Sequence, residues 1–526
     1  MPTKKTAEWE AWKTEWESVK NDWTQISLTP GSDASELNFA WYSKKTGDEI
    51  TAHLKIGEKE DMSDAKVYTA VSKDVADELD NGGSSYVSNK VTATGLKENT
   101  TYYYSYEKNG VYTTPAKYET QSTDQFSFIF VGDPQIGSSN ELKGKDTEEF
   151  YTAQSDAVRS DTFNWETTLQ AAVDKSGNKA SFVVSAGDQI QTTKAKSPNK
   201  DAAKSEIEYS GYLSPDILKS LAVATTVGNH DADNANYSYH FNTPNNSELG
   251  SNGVVGGDYW FTYGSAEHSN EPEITNLRYQ LVPYFEANDI DLVLTGHDHA
   301  YSRSKLLLGG KSTFSYTDDE FDEQLEADFD NGDSKETLYT APGNIKEETA
   351  DDAGKKYLDY LNHIMDKDAV EDVKTDNEAV VNPDGILYIT ANSSSGSKYY
   401  DLVPRMQSYI AGRWQEDVPT YSLINVDENT LSIGTYRTDT NEKIDDIFSI
   451  SKVSVDKSGL KKMLDDIQDT VMTDKDQYSP ESYDVLKLAV QGAREIYDDD
   501  KATNSEVEAA VLSLTNAKAG LVLTMV

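Results

Sequence analysis

The chain has 526 residues, with 48 Lys plus Arg against 91 Asp plus Glu and a formal net charge of −43. That field disfavours a nucleic-acid partner, which needs clustered positive charge, but it admits a small phosphate-bearing substrate wherever bound cations are the largest local charges. There is no cysteine, which excludes disulfides and thiolate ligands, and no apolar run approaches the ~18 residues of a spanning helix.

Within residues 1–24, Trp9, Trp12, Trp16, Val19 and Trp23 recur at spacings of three and four. They predict an amphipathic helix whose stripe packs on a neighbouring domain. Over 25–122 the period changes to two. Leu37, Phe39 and Trp41 alternate, as do Tyr102, Tyr104 and Tyr106, with Gly- or Asn-rich turns between such runs. Alternation with frequent turns predicts a β-sandwich with the tyrosines in its core. Over 123–455, apolar strands alternate with helical patterns, for instance at 163–173 and 277–287, which predicts layered α/β architecture. An acidic, mostly helical insertion occupies 315–380, and strand character returns at 385–390 and 420–436. Residues 456–526 carry three further stripes: Leu460, Met463, Leu464, Ile467 and Val471; Leu486, Val490, Ala493 and Tyr497 after a Ser479-Pro480-Glu481 helix start; and Val507, Val511, Leu514 and Leu521. Three short amphipathic helices imply a small bundle.

Four strands of the α/β region share one ending, an apolar run broken by Gly and followed by a metal-ligand residue type. Residues 126–131 run into Gly132-Asp133-Pro134-Gln135, and 181–185 into Gly187-Asp188-Gln189-Ile190. Residues 221–227 run into Gly228-Asn229-His230-Asp231, and 290–294 into Gly296-His297-Asp298-His299. Loops at the carboxyl ends of parallel strands gather at one edge of a sheet, so these residues are expected to share one mouth. Two imidazoles two residues apart on an extended segment point the same way and offer a divalent ion two nitrogens.

The ordered set GDPQ, GDQIQ, GNHD and GHDH resembles the calcineurin-like metallophosphoesterase superfamily, in its purple-acid-phosphatase-like branch. The stretches 91–96 and 101–104 are similar to the fibronectin-like domain that precedes the catalytic domain there, and the C-terminal bundle resembles FIVAR-type modules of bacterial surface proteins. The resemblance implies a multidomain chain: a fibronectin-like β-sandwich, an α/β layered metallophosphoesterase domain, then a three-helix bundle. It implies two divalent or trivalent metal ions of the iron, zinc or manganese class. Asp188 would bridge them, Asp133 and His299 would complete the first, and Asn229 and His297 would serve the second. His230 would protonate the leaving group with Asp231 orienting it, and His240 and Arg303 would meet the phosphate at the rim.

The implied activity is hydrolysis of phosphate monoesters. Phosphodiesterase or nucleotidase activity on the same ligands is the nearest alternative, and a non-catalytic surface protein with a degraded phosphatase domain is the other. The substrate would be a small phosphate ester, with cell-surface or carbohydrate contact through the bundle. The N-terminus lacks the apolar core of a signal peptide, yet the acidic, Cys-free, Tyr-rich composition with small appended modules implies a secreted or surface protein of a Gram-positive-type bacterium.

Three departures from the family pattern stand out. Gln191 occupies the position of the tyrosine that colours purple enzymes, which predicts a colourless protein, and Gln135 sits where many superfamily members have a ligating histidine. The family also has a metal-binding histidine on a strand–helix crossover between GNHD and GHDH. A crossover needs about 30 residues, and the junction at 264–274 supplies about ten, so this segment reads as deleted. His268 is the only histidine between His240 and His297 and the candidate replacement.

Overall fold

The computed structural model describes residues 6–45, 51–75, 86–139, 148–192, 201–232, 236–244, 272–309, 316–329, 343–364, 369–376, 378–405, 407–452, 455–473, 475–499 and 501–524. His268 and the junction up to residue 271 lie outside them. The chain forms two compact units. One holds 1–370, 386–427 and 433–447, the other 371–385, 428–432 and 448–526.

In the first unit, helix α1 (Ala7–Val19) starts at Thr6, whose hydroxyl accepts from Trp9 N at 3.3 Å, a side-chain cap for an otherwise unpaired helix donor. Its tryptophans are buried. Trp12 Nε1 donates to Arg159 O (2.8 Å) and Trp16 Nε1 to the Ser155 hydroxyl (2.9 Å) on α2 (Glu148–Lys175). The stripe therefore packs on the α/β region, and the indoles of Trp12 and Trp16 each keep a polar partner.

The sandwich is built from β1 (Ile26–Pro30), β2 (Glu36–Lys44), β3 (His53–Gly57), β4 (Lys66–Thr69), β5 (Val71–Asp74), β6 (Tyr86–Thr94), β7 (Thr101–Lys108), β8 (Val111–Tyr112) and β9 (Ala116–Glu119). One sheet has the order β1-β2-β6-β5, the other β4-β3-β7-β8 with β9 also on β7. The period-two residues meet between them: Phe39 and Tyr104 rings lie 5.0 Å apart, and those of Trp41 and Tyr106 5.4 Å. The α/β region closes one end of this core, since Ala222 and Phe182 pack into it and the Tyr104 hydroxyl donates to Lys219 O at 2.7 Å.

Two sheets carry the α/β region. In the first, β10 (Phe126–Val131), β11 (Ala180–Ser185), β12 (Ala222–Thr225), β19 (Thr420–Val426) and β20 (Thr430–Arg437) run in the order β12-β11-β10-β19-β20. β10, β11 and β12 are mutually parallel, whereas β19 is antiparallel to β10. In the second, β13 (Leu292–Thr295), β14 (Tyr301–Ser304), β17 (Leu387–Thr390) and β18 (Ile410–Trp414) run β13-β17-β14-β18, with β13 and β17 parallel.

Ile129, Val131 and Val183 pack with Trp165 and Leu169 of α2 and Tyr209 and Tyr212 of α3 (Asp201–Leu213) in the main core. The short helices α4 (Asn229–Ala232) and α5 (Asn236–His240) follow β12, and α6 (Pro272–Ala287) leads into β13. Where described, the 315–380 insertion holds two helices and, at its end, short strand segments. α7 (Asp318–Phe329) and α8 (Asp352–Ile364) share a small core of Phe321, Leu325, Tyr357 and Leu361.

The second unit holds β15 (Thr375–Asp376), β16 (Ala379–Val381) and β21 (Phe448–Ser451), with β16 parallel to β21. It also holds α9 (Ser458–Thr470), α10 (Pro480–Asp498) and α11 (Asn504–Ala519), packed through Leu460, Ile467, Leu486, Val490 and Leu514. Ser479 caps α10 ahead of Pro480, and Thr503 with Glu506 forms a capping box on α11, the local chemistry that starts short helices. The unit extends beyond 456–526, because 371–385 folds with the helices: Lys501 pairs with Glu371 at 2.5 Å. Among the described residues no helix is long and apolar enough to cross a membrane.

Candidate metal centre

The loops after β10, β11, β12 and β13 interlock. Asp133 is buried, and its Oδ2 accepts from His297 N at 2.7 Å. Asp188 is buried, and its Oδ1 accepts from His230 N at 2.9 Å. Each carboxylate also rests on bare backbone. A Cβ on Gly228 would stand 2.1 Å from Asp188 Oδ1, and one on Gly296 2.5 Å from Asp133 Oδ2, so no side chain fits at either glycine without displacing a carboxylate. Asp133, Gln135, Asp188, His297 and His299 all have φ between 35° and 74°. Non-glycine residues in that region are strained and cluster at functional sites.

His299 is buried, and its Nδ1 faces Lys398 O at 3.0 Å. A carbonyl only accepts, so Nδ1 carries the hydrogen and Nε2, 3.8 Å from Asp133 Oδ1, presents a lone pair. A hydrogen bond from the far ring nitrogen to a carbonyl is what orients metal-ligating histidines. Burial depresses the His299 imidazole to about 3, which keeps it neutral, the form that binds cations. Burial pushes the Asp133 carboxyl well up, with the Asp188 charge adding to it, and raises Asp188 as well. Two buried carboxyls with mutually unfavourable charge invite a cation or a proton.

The ring of His230 is gripped from both sides. Its Nδ1 faces Gln191 O, so Nδ1 is the protonated nitrogen and Nε2 accepts from Gln135 Nε2 at 2.9 Å. The same amide nitrogen donates to Gln191 Oε1 at 2.8 Å. Gln135 Oε1 is left buried without a partner. Asp231 does not orient this ring as the sequence suggested. Its Oδ2 accepts from Gly228 N (3.1 Å) and Gln189 N (3.3 Å), tying the third loop to the second.

The two residues assigned to the phosphate rim are committed elsewhere. His240 is 2 % exposed, its Nε2 is 2.8 Å from Glu206 Oε2, and its ring lies 4.3 Å from that of Tyr42 and 4.5 Å from that of Tyr209. Arg303 is bidentate on Asp445 at 2.7 and 3.1 Å, and the Tyr301 hydroxyl shares that carboxylate at 2.8 Å.

A fifth loop, absent from the sequence reading, completes the mouth. After β17, residues 391–395 are all buried, as is Ser397. Ser393 Oγ donates to Asp133 O (3.3 Å) and Ser397 Oγ to Pro134 O (3.3 Å). The signal was present, an apolar strand running into Ala391-Asn-Ser-Ser-Ser-Gly-Ser397, but without a metal-ligand residue type to mark it.

The donors fit metal ions in chemistry: two buried carboxylates, an amide at Asn229, two imidazoles and the orphaned oxygen of Gln135. Their spacing is looser, since among the described residues no three His, Asp or Glu side chains come together closely enough to hold an ion.

Comparisons with known proteins bear on the whole. Residues 23–128 match the family model for the purple acid phosphatase N-terminal domain, and residues 126–301 match that for calcineurin-like phosphoesterase. Among solved structures, the chain is similar to a purple acid phosphatase from yellow lupin (Lupinus luteus) seeds, at 11% identity and a TM-score of 0.48 over 82% of this chain and 75% of that one. It is also similar to PhoD, at 10% identity and 0.42 over 82% and 92%. A predicted phosphoesterase from Streptococcus pneumoniae matches at 11% identity and 0.22 over 63% and 99%. No curated protein sequence matches significantly. The chain thus carries a calcineurin-like phosphoesterase domain preceded by a purple acid phosphatase N-terminal domain.

Proposed function

We propose that the chain hydrolyses phosphate monoesters at a two-metal centre held by Asp133, Asp188, Asn229, His297 and His299. The carrying observation is the pair of buried carboxyls at the ends of adjacent parallel strands, with the neutral His299 turned toward Asp133 by the Lys398 carbonyl. Bound iron, zinc or manganese would supply Lewis acidity toward phosphate oxygens and acidify water. Asp188 holds the third loop through His230 N, and Asp133 holds the fourth through His297 N, so each of these loops is fastened to another. His230 stands beside Asp188 with Nε2 as the exchangeable position. When the Gln135 amide yields that nitrogen, Nε2 takes up a proton from water and passes it to the leaving oxygen.

Hydrolysis of a chromogenic phosphate monoester, after loading with each metal in turn, tests the reading. Metal-dependent turnover that His297→Ala abolishes is the expected result. A folded, loaded chain that turns over nothing overturns it, and the non-catalytic reading takes its place.

A further inference from the structure

With His240 and Arg303 bound to their own carboxylates, the mouth needs another cation to meet an anionic substrate. We propose that Lys398, on the loop after β17, is the phosphate-positioning residue of this site; the proposal rests on the phosphoesterase reading above. Its backbone carbonyl holds His299 Nδ1 at 3.0 Å, which fixes the start of its side chain beside a proposed metal ligand. The ammonium lies over the Tyr400 ring, 4.4 Å from its centroid, and donates to the Tyr400 hydroxyl. Tyr400 in turn sets its ring edge-on to His299 at 5.3 Å. The residue is half-buried, so the aliphatic stem is fixed while the charge stays reachable.

Lys398 meets no carboxylate within salt-bridge distance among the described residues, and a lysine ammonium has three donors. One is given to Tyr400, and the other two have no protein acceptor among the described residues. A half-buried cation with spare donors, parked on a hydroxyl, suits a tetrahedral oxyanion as a point charge. Tyr400 serves as its rest position when no anion is bound.

Inorganic phosphate binding to the metal-loaded full chain, followed by calorimetry, provides the test, with turnover and metal content measured alongside. Lys398→Met is expected to weaken phosphate binding roughly ten- to a hundredfold, as for loss of a charge-assisted hydrogen bond. It should raise KM by a similar factor, with a smaller change in kcat and unchanged metal content. Lys398→Arg, which keeps the charge, is expected to recover most of the affinity. Equal phosphate affinity in wild type and Lys398→Met overturns the proposal whatever the turnover. A chain that turns over nothing but loses phosphate affinity in Lys398→Met sinks the hydrolase reading and keeps this one. Absence of phosphate binding in the loaded wild type sinks both.

Discussion

Glu208 is a fully buried carboxyl in α3 that fastens the second ligand loop. Its Oε2 accepts from Gln191 N (3.1 Å) and Thr192 N (2.7 Å), and its Oε1 from the Thr192 hydroxyl (2.6 Å) and Gln154 Nε2 (2.9 Å). Burial outweighs these four donors and pushes the group from 4.5 up to about 7. Between those values the native state binds more protons than the unfolded chain, so stability falls as pH rises from about 4.5 to about 7 and is level above that. The gap of about 2.5 pH units, at about 1.36 kcal/mol each, makes about 3 kcal/mol. Glu208→Gln mimics the protonated form. Its carbonyl keeps the two backbone donors, while the Thr192 hydroxyl can rotate and the Gln154 amide can flip to accept from its NH2. In urea titrations from pH 4 to 8, the variant is expected to stay near wild type at the acid end. It should gain about 3 kcal/mol on wild type by pH 8. A difference that stays constant across the range refutes the reasoning, because Glu208 would then ionise as easily folded as unfolded.

Gly228→Ala would drive a methyl into Asp188 Oδ1 and N, at 2.1 and 2.3 Å. It is expected to cost about 1–3 kcal/mol of stability by overpacking and to lower metal content by displacing the carboxylate, both read from denaturant midpoints and metal analysis of the loaded protein. Trp16→Ala empties a site with 0 % exposure and strips the Ser155 hydroxyl of its donor. A loss of about 3–5 kcal/mol in the same unfolding experiment is expected, and a loss under about 1 kcal/mol would mean that α1 contributes little to the main core.

The four strand-end loops were legible because everything that marks them is local: an apolar run, a glycine, and an Asp, Asn or His within three residues. The sandwich was legible for the same reason, through the alternation of Leu37, Phe39 and Trp41 against that of Tyr102, Tyr104 and Tyr106. What failed depends on distant partners. His240 and Arg303 read as residues of the phosphate rim until Glu206 and Asp445, 34 and 142 residues away, claim them. The His230 clamp needs Gln135 and Gln191, and the loop carrying Lys398 has only small polar residues to announce it. The limit of the C-terminal unit was misplaced because 371–385 pairs with β21 and Lys501 across more than sixty residues of intervening chain, a return that no periodicity signals.

The packing around His240 has a consequence for modularity. Its ring is enclosed by Tyr42 from the sandwich on one side and Tyr209 from α3 on the other, and Glu206 takes hydrogen bonds from Tyr42 and Asn236 while holding the imidazole. Cutting the gene at the sandwich boundary would strip one wall from a buried acid–imidazole pair and leave Glu206 short of a donor. The two halves are separable as text, each matching its own family model, but recombination that swaps the sandwich must bring a tyrosine to the place of Tyr42 or open the Glu206–His240 pair to solvent.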